Sequence, residues 1–307
     1  MCRVLIYKGS PELVENFLYK SDSAFVQQAH ESQLLNTLNL AGFGIAVWDE
    51  RSLNPGTPFV YKSTNLPFFD RNLRGLSRKL EASSLLAHLR GVALDEKSTI
   101  NEANLHPFLF SDFPMSMAHN GDLARFSEMR FDVAEFVRPE IRCRVQGNTD
   151  SEWIYALLMS QFSDPAQRQP METILKAIES TYSILRGIRE QRKIDSTSVV
   201  NLFLNDGESI VATRYAFDFG CYELDQPKVK DLDISYTSLW YTSGTHYEQQ
   251  GKEWRMAGGA NHTESILVSS EPLTLDTSTW LEVPEYSALY VVREGEKNKL
   301  GIHAIAA

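Results

Sequence analysis

The chain has 307 residues, 43% hydrophobic and 23% charged, which allows one large domain or two ordinary ones with a sizeable core. Its net charge of −10 repels phosphate backbones and argues against a nucleic-acid partner. Three scattered cysteines, Cys2, Cys143 and Cys221, form no CxxC pair, so neither a disulfide framework nor a cysteine zinc site is indicated, and a reducing, cytoplasmic setting is expected.

The opening "MCRVLIYKGS" places a strand over Val4–Tyr7, ended by Gly9-Ser10-Pro11. Its apolar run is too short for a signal-peptide core, and no run in the chain approaches the roughly 20 residues that span a bilayer. No membrane partner is expected. "LVENFLYK" and "SAFVQQAHES" suggest helical turns. "GFGIAVWDE" (Gly42–Glu50) reads as a strand. Its glycines lack the spacing of a dinucleotide or phosphate loop and instead permit close backbone approach. A turn, a short strand and a loop follow. Phe69, Leu73, Leu76 and Leu80 then keep helical spacing. "SSLLAHLRGVA" reads as a buried strand and "DEKSTINEANLHPFLF" as a polar loop. "SMAHNGDLARF" reads as a strand entering a tight Asn-Gly turn.

"TDSEWIYALLMSQF" predicts a helix capped by Thr149 or Asp150. "PMETILKAIESTYSILRGIREQRK" predicts a second, started by Pro170 and ended by basic residues. A hairpin around Asn205-Asp206-Gly207 and several further strands complete the chain. Strands, two helices, then strands suggest an α+β layered fold. "SDPAQRQP" is the one plausible joint, and a single domain over 1–307 is expected.

The seven histidines include no HExxH or HxH pair, so no metal site is indicated; His88, His106 and His119 read first as structural, with a catalytic role open. Arg90 lies in an apolar stretch, where a guanidinium needs an anion from the protein or a ligand. Asn120-Gly121 is either a plain hairpin turn or an oxyanion hole made of a side-chain amide and a backbone N–H. Asp150 is either a helix cap or a partner for an ammonium group. With Cys2 as attacking sulfur, the set matches glutamine or a γ-glutamyl amide: carboxylate on Arg90, ammonium on Asp150, carbonyl oxygen on Asn120 and Gly121.

"MCR", "AHLR", "AHNG" and "NTDSE", in this order, resemble the class II glutamine amidotransferases, which are N-terminal nucleophile hydrolases. "GFGIAVW", "NLHPF", "VATRY" and "ESILVSSEPLT" are similar to the stand-alone branch of YafJ-like proteins and γ-glutamyl hydrolases, over almost the whole length. "NLAGFG" and "GVALDEK" depart from the branch pattern near the substrate loop, so the leaving amine is left open.

The resemblance implies a four-layer αββα sandwich with two central, mostly antiparallel sheets. It implies Cys2 as nucleophile once Met1 is removed, with its own α-amine as base and a thioester intermediate. It makes Asn120 and Gly121 catalytic, and Arg90, Asp150 and His119 substrate-binding, His119 bracing the turn. It calls for no cofactor. The substrate is a small γ-glutamyl compound; a homodimer and a separate synthase partner are both compatible. Two alternatives stay open: a glutaminase subunit that hands ammonia to a synthase, and a catalytically silent glutamine- or glutamate-binding protein. Arg214, Tyr215, Tyr241 and Glu271 lie in branch-like motifs and could line the pocket or serve structure. Cys143 and Cys221 read as packing residues.

Overall fold

Alternate residues of the opening strand pack into different cores. Val4 and Ile6 join Leu86, Ala118, Phe203 and Leu289 in one buried cluster. Leu5 and Tyr7 join Phe17, Leu73, Leu85 and Trp254 in another. A strand apolar on both faces must be covered on both, and a layered arrangement follows. The computed structural model describes residues 2–31, 38–91, 100–218, 238–259, 261–295 and 297–306.

Strands are numbered in chain order. Among the described residues, β1 (Arg3–Leu13), β2 (Phe43–Trp48), β3 (Phe59–Ser63), β4 (Glu81–Leu89), β9 (Trp240–Gly244), β12 (Ser265–Ser269) and β13 (Leu281–Glu282) form one sheet in the order β13-β9-β12-β1-β4-β2-β3. A second sheet, ordered β15-β14-β7-β6-β5, contains β5 (Ser116–Asp122), β6 (Ser198–Asn205), β7 (Ile210–Arg214), β14 (Ser287–Glu294) and β15 (Lys297–Ala304), with β8 (Ala216–Phe217) pairing beside β6. Neighbouring strands in both are antiparallel. The cluster holding Val4 and Phe203 is the layer between the sheets.

The second sheet is covered outside by α2 (Phe126–Phe136), α4 (Asp150–Ser160) and α5 (Met171–Arg192); Met129, Ile154 and Ile178 pack there with Leu202 and Leu204. The first sheet is covered by shorter pieces: a π-helical turn at Asn16–Lys20, α1 (Arg71–Ser77) and a hairpin of β10 (Tyr247–Gln250) and β11 (Glu253–Met256). A short helix, α3 (Pro139–Arg142), lies between α2 and α4. The layers follow the expected order, helices on a sheet on a second sheet, although the other outer layer is thinly helical. No helix among the described residues is long and apolar enough to cross a membrane.

Several local expectations change. β1 does not end at Gly9-Ser10-Pro11; its pairing with β4 shifts register between Lys8 and Glu12 and the strand runs on to Leu13. Gly-Ser-Pro makes an irregularity within the strand, not its end. The first predicted helix is confined to Arg71–Ser77, because Leu80 leads into β4. A third substantial helix, α2, stands between the predicted strand and Asp150. Its first cap residue is Arg125, left-handed at φ 56° and without a side-chain cap hydrogen bond, so the usual start signal is missing. Cys143 is exposed and its thiol donates to the Glu140 carbonyl, so it does not serve packing. Cys221 lies outside the described residues, as does Met1.

Candidate active site

The start of β1 is fixed from three sides. Arg3 pairs with Leu89 at the end of β4. The Gly91 N–H approaches Cys2 Sγ at 3.4 Å, so the half-buried thiol rests on the backbone beside Arg90. Arg3 donates to the Cys2 carbonyl at 3.3 Å and meets Glu271 at 3.7 Å. Both charged side chains of that pair are almost fully buried. Burial lowers the pKa of Arg3, while Glu271 and Cys2 oppose the shift.

Arg90 follows β4 directly and is 6% exposed. Its backbone is held by two hydrogen bonds to the segment before β2: Arg90 N to Gly42 O and Ala41 N to Arg90 O, each 2.9 Å.

Asn120 and Gly121 are not in a turn. They lie within β5, opposite Asn201 and Val200 of β6. A Cβ on Gly121 would stand 1.8 Å from the Val199 carbonyl oxygen, and its φ of +151° disfavours other residues as well. Glycine is thus needed for close strand approach, not for reversal. Asn120 shares a face with Ala118, toward the space between the sheets. There Asn120 Nδ2 donates to Ser270 Oγ at 3.0 Å, just past the end of β12. Ser270 Oγ also accepts from Val4 N at 3.0 Å. The sheets therefore meet in one polar corner, two residues from Cys2.

Thr149 caps α4 by accepting from Glu152 N, as the Ser/Thr-x-x-Glu pattern predicts. Glu152 turns its carboxylate to Gln146 N and Gly147 N. Asp150 Oδ2 accepts from Leu123 N at 2.8 Å, and Oδ1 from Ser151 N at 2.7 Å. It thereby joins the exit of β5 to the start of α4. His119 makes a parallel tie: Nδ1 meets Ser151 Oγ at 2.9 Å and Nε2 meets Val199 O at 3.2 Å. A carbonyl can only accept, so Nε2 carries the proton, while the Ser151 hydroxyl lies between His119 Nδ1 and Asp150 Oδ1, 3.1 Å from the latter. Burial lowers the pKa of His119, with Asp150 and the Val199 carbonyl opposing. Both ring nitrogens are engaged by protein groups, which fits a brace.

His88 and His106 pack with ring centroids 4.0 Å apart and planes tilted by 38°. Burial, reinforced for His88 first by Arg90 and His119, brings the His88 pKa down to about 3 and that of His106 well below its ordinary value. The His106 carbonyl packs where a Cβ on Gly44 would sit, at 2.0 Å, the close backbone approach expected of "GFG". Among the described residues no group of three or more His, Cys, Asp or Glu side chains could hold a metal ion.

The structure thus holds Cys2 and Arg90 at the β1–β4 end and ties Asn120 to Val4 through Ser270, while Asp150 and His119 fasten β5 to α4. Arg214 is committed elsewhere, to Val283 O, Glu282 and Glu285. Tyr215 stacks on Tyr182, and Tyr241 packs beside the inter-sheet core. Glu271 faces Arg3. Arg3 and Ser270 were not singled out by the sequence. The signal for Arg3 was its place beside the cysteine; Ser270 lies inside the branch-like "ESILVSSEPLT" with no signal of its own.

A family profile described as class II glutamine amidotransferases matches residues 31–236. That segment contains Arg90, His119, Asn120, Gly121 and Asp150 but begins after Cys2. A Saccharomyces cerevisiae protein described as the probable glutamine amidotransferase DUG3 is 25% identical over 312 residues, covering 96% of this chain and 82% of the yeast protein. A glutamine aminotransferase class-II domain protein from Silicibacter pomeroyi has a similar fold, with TM-score 0.59 at 17% identity and full coverage of both chains. Glutamine phosphoribosylpyrophosphate amidotransferase from B. subtilis matches with TM-score 0.55 at 16% identity over 98% of this chain but 49% of its own.

Proposed function

The chain belongs to the class II glutamine amidotransferases, and on that premise we propose that it acts as a γ-glutamyl amide hydrolase through a thioester on Cys2. Removal of Met1 frees an α-amine with a pKa near ~8, a competent base at neutral pH. The amine takes the thiol proton and the sulfur attacks the δ-carbonyl carbon. Asn120 and Gly121 donate to the tetrahedral oxyanion. Collapse breaks the C–N bond and the leaving amine takes a proton. Water then cleaves the thioester, releasing glutamate and restoring the thiol. Arg90 takes the substrate α-carboxylate and Asp150 the α-ammonium, converting binding into orientation. His119 holds β5 in place. A reduced, cytoplasmic setting suits this thiol chemistry.

One observation carries the reading. Val4, two residues past Cys2, shares Ser270 with Asn120, which supports a sulfur nucleophile and an amide donor acting together from different sheets. Cys2→Ala should abolish glutamate release from γ-glutamyl amides. It should also abolish the intact-mass adduct formed with 6-diazo-5-oxonorleucine. Retained release would overturn the proposal. A panel of γ-glutamyl amides would identify the leaving amine.

A second reading is a glutaminase subunit serving a separate synthase. Co-purification of a synthase, with weak glutaminase activity of the isolated chain, would select it.

A further inference from the structure

Ser270 lies just past the end of β12 and is 7% exposed. Its hydroxyl has three neighbours: Val4 N and Asn120 Nδ2 at 3.0 Å and Val4 O at 3.4 Å. A serine hydroxyl has one proton and two lone pairs. Val4 N–H can only donate and Val4 O can only accept. With Nδ2 facing the hydroxyl, all three contacts are satisfied: both lone pairs receive N–H groups and the proton faces Val4 O. With Oδ1 turned to it, the single proton would be drawn from Val4 O to the amide and one lone pair would stay empty, so the Nδ2 orientation is the favoured one.

We propose that Ser270 is a positioning residue that sets the amide orientation of Asn120 and ties it to the strand carrying Cys2. The inference rests on the hydrolase reading above. One N–H of Nδ2 goes to Ser270, and the other is kept for the carbonyl oxygen under attack. An amide turned over would present Oδ1, an acceptor, to a developing negative charge. The same hydroxyl holds Val4 N, so the spacing between sulfur and oxyanion donor is set by one atom, Ser270 Oγ. The backbone adds to this, since Ser270 N donates to Val4 O at 3.0 Å.

The test is a double-mutant cycle with Asn120, read by glutamate release from a γ-glutamyl amide. Ser270→Ala should lower kcat about tenfold or more, with KM within about twofold. Ser270→Thr, which keeps the hydroxyl, should recover most of kcat. In an Asn120→Ala background, Ser270→Ala should change kcat little, because no amide remains to orient. Equal losses in both backgrounds, or no loss in the first, would overturn the role of Ser270. If Ser270→Ala does not fold, Ser270→Cys, whose sulfur is a weak acceptor, serves in the same comparison. A wild-type protein inactive on every γ-glutamyl amide would instead overturn the hydrolase reading itself.

Discussion

Arg3 and Glu271 form a buried ion pair, 3.7 Å apart, directly behind Cys2. The pair joins the first residues of the chain to the segment after β12, and Arg3 also holds the Cys2 carbonyl. Breaking a buried pair costs far more than an exposed one, on the order of 3–5 kcal/mol, because one charge stays behind in a poorly solvated place. Arg3→Met should lower the urea midpoint accordingly. The double variant Arg3→Met/Glu271→Met should recover part of the loss. A double variant as unstable as the sum of the singles would refute the coupling.

Gly121→Ala should disrupt the β5–β6 pairing. The added methyl would sit 1.8 Å from the Val199 carbonyl, on backbone that cannot move without separating the strands. The cost should be at least about 2 kcal/mol, seen as a lower thermal midpoint. Glutamate release should fall with it, since Asn120 shares the strand. A stable, active Gly121→Ala protein would show that the strand has room that its geometry denies.

Asp150 is satisfied by Leu123 N and Ser151 N, so its structural and substrate roles need separating. Asp150→Asn keeps a side-chain oxygen for one of these but removes the charge. The variant should lose kcat/KM on a γ-glutamyl amide by roughly ten- to a hundredfold, a charge-assisted contact of about 1.5–3 kcal/mol. It should lose little on the analogue lacking only the α-amino group, the corresponding monoamide of glutaric acid. Equal losses on both would assign Asp150 to structure alone.

The closely packed His88–His106 pair predicts acid sensitivity. Both imidazoles are held neutral by burial, with pKa values below the ordinary 6.5. The unfolded chain therefore binds more protons as pH drops through 6.5. Their stabilising contribution is complete above that pH and declines toward about 3, where His88 would titrate in the folded state. Each fully titrating histidine contributes about 1.4 kcal/mol per pH unit. The urea midpoint should fall between pH 7 and pH 5, and less steeply in His106→Gln. A midpoint unchanged over that range in wild type would contradict the burial argument.

Local chemistry was legible wherever the signal lies within a few residues. Thr149, one of the two expected caps, starts α4, Pro170 announces α5, and the apolar runs around Ile6 and Leu86 read as strands. The 205–207 turn likewise joins β6 to β7. α2 was missed because it begins without a capping side chain and leaves Phe131 and Phe136 exposed, which blurs its apolar stripe.

Asn120-Gly121 shows the opposite limit. The dipeptide favours a turn in isolation, but pairing with β6 outweighs that local preference and makes glycine a spacer against Val199. The order of "MCR", "AHLR", "AHNG" and "NTDSE" was enough by itself to indicate the family and hence the αββα layering. Only the tertiary structure could decide what braces the site. Ser270 lies 150 residues from Asn120 and 266 from Val4, and Arg3 finds its carboxylate in Glu271. Such contacts leave no local periodicity or capping signal. They exist because β12 pairs with β1 while the second sheet packs across them.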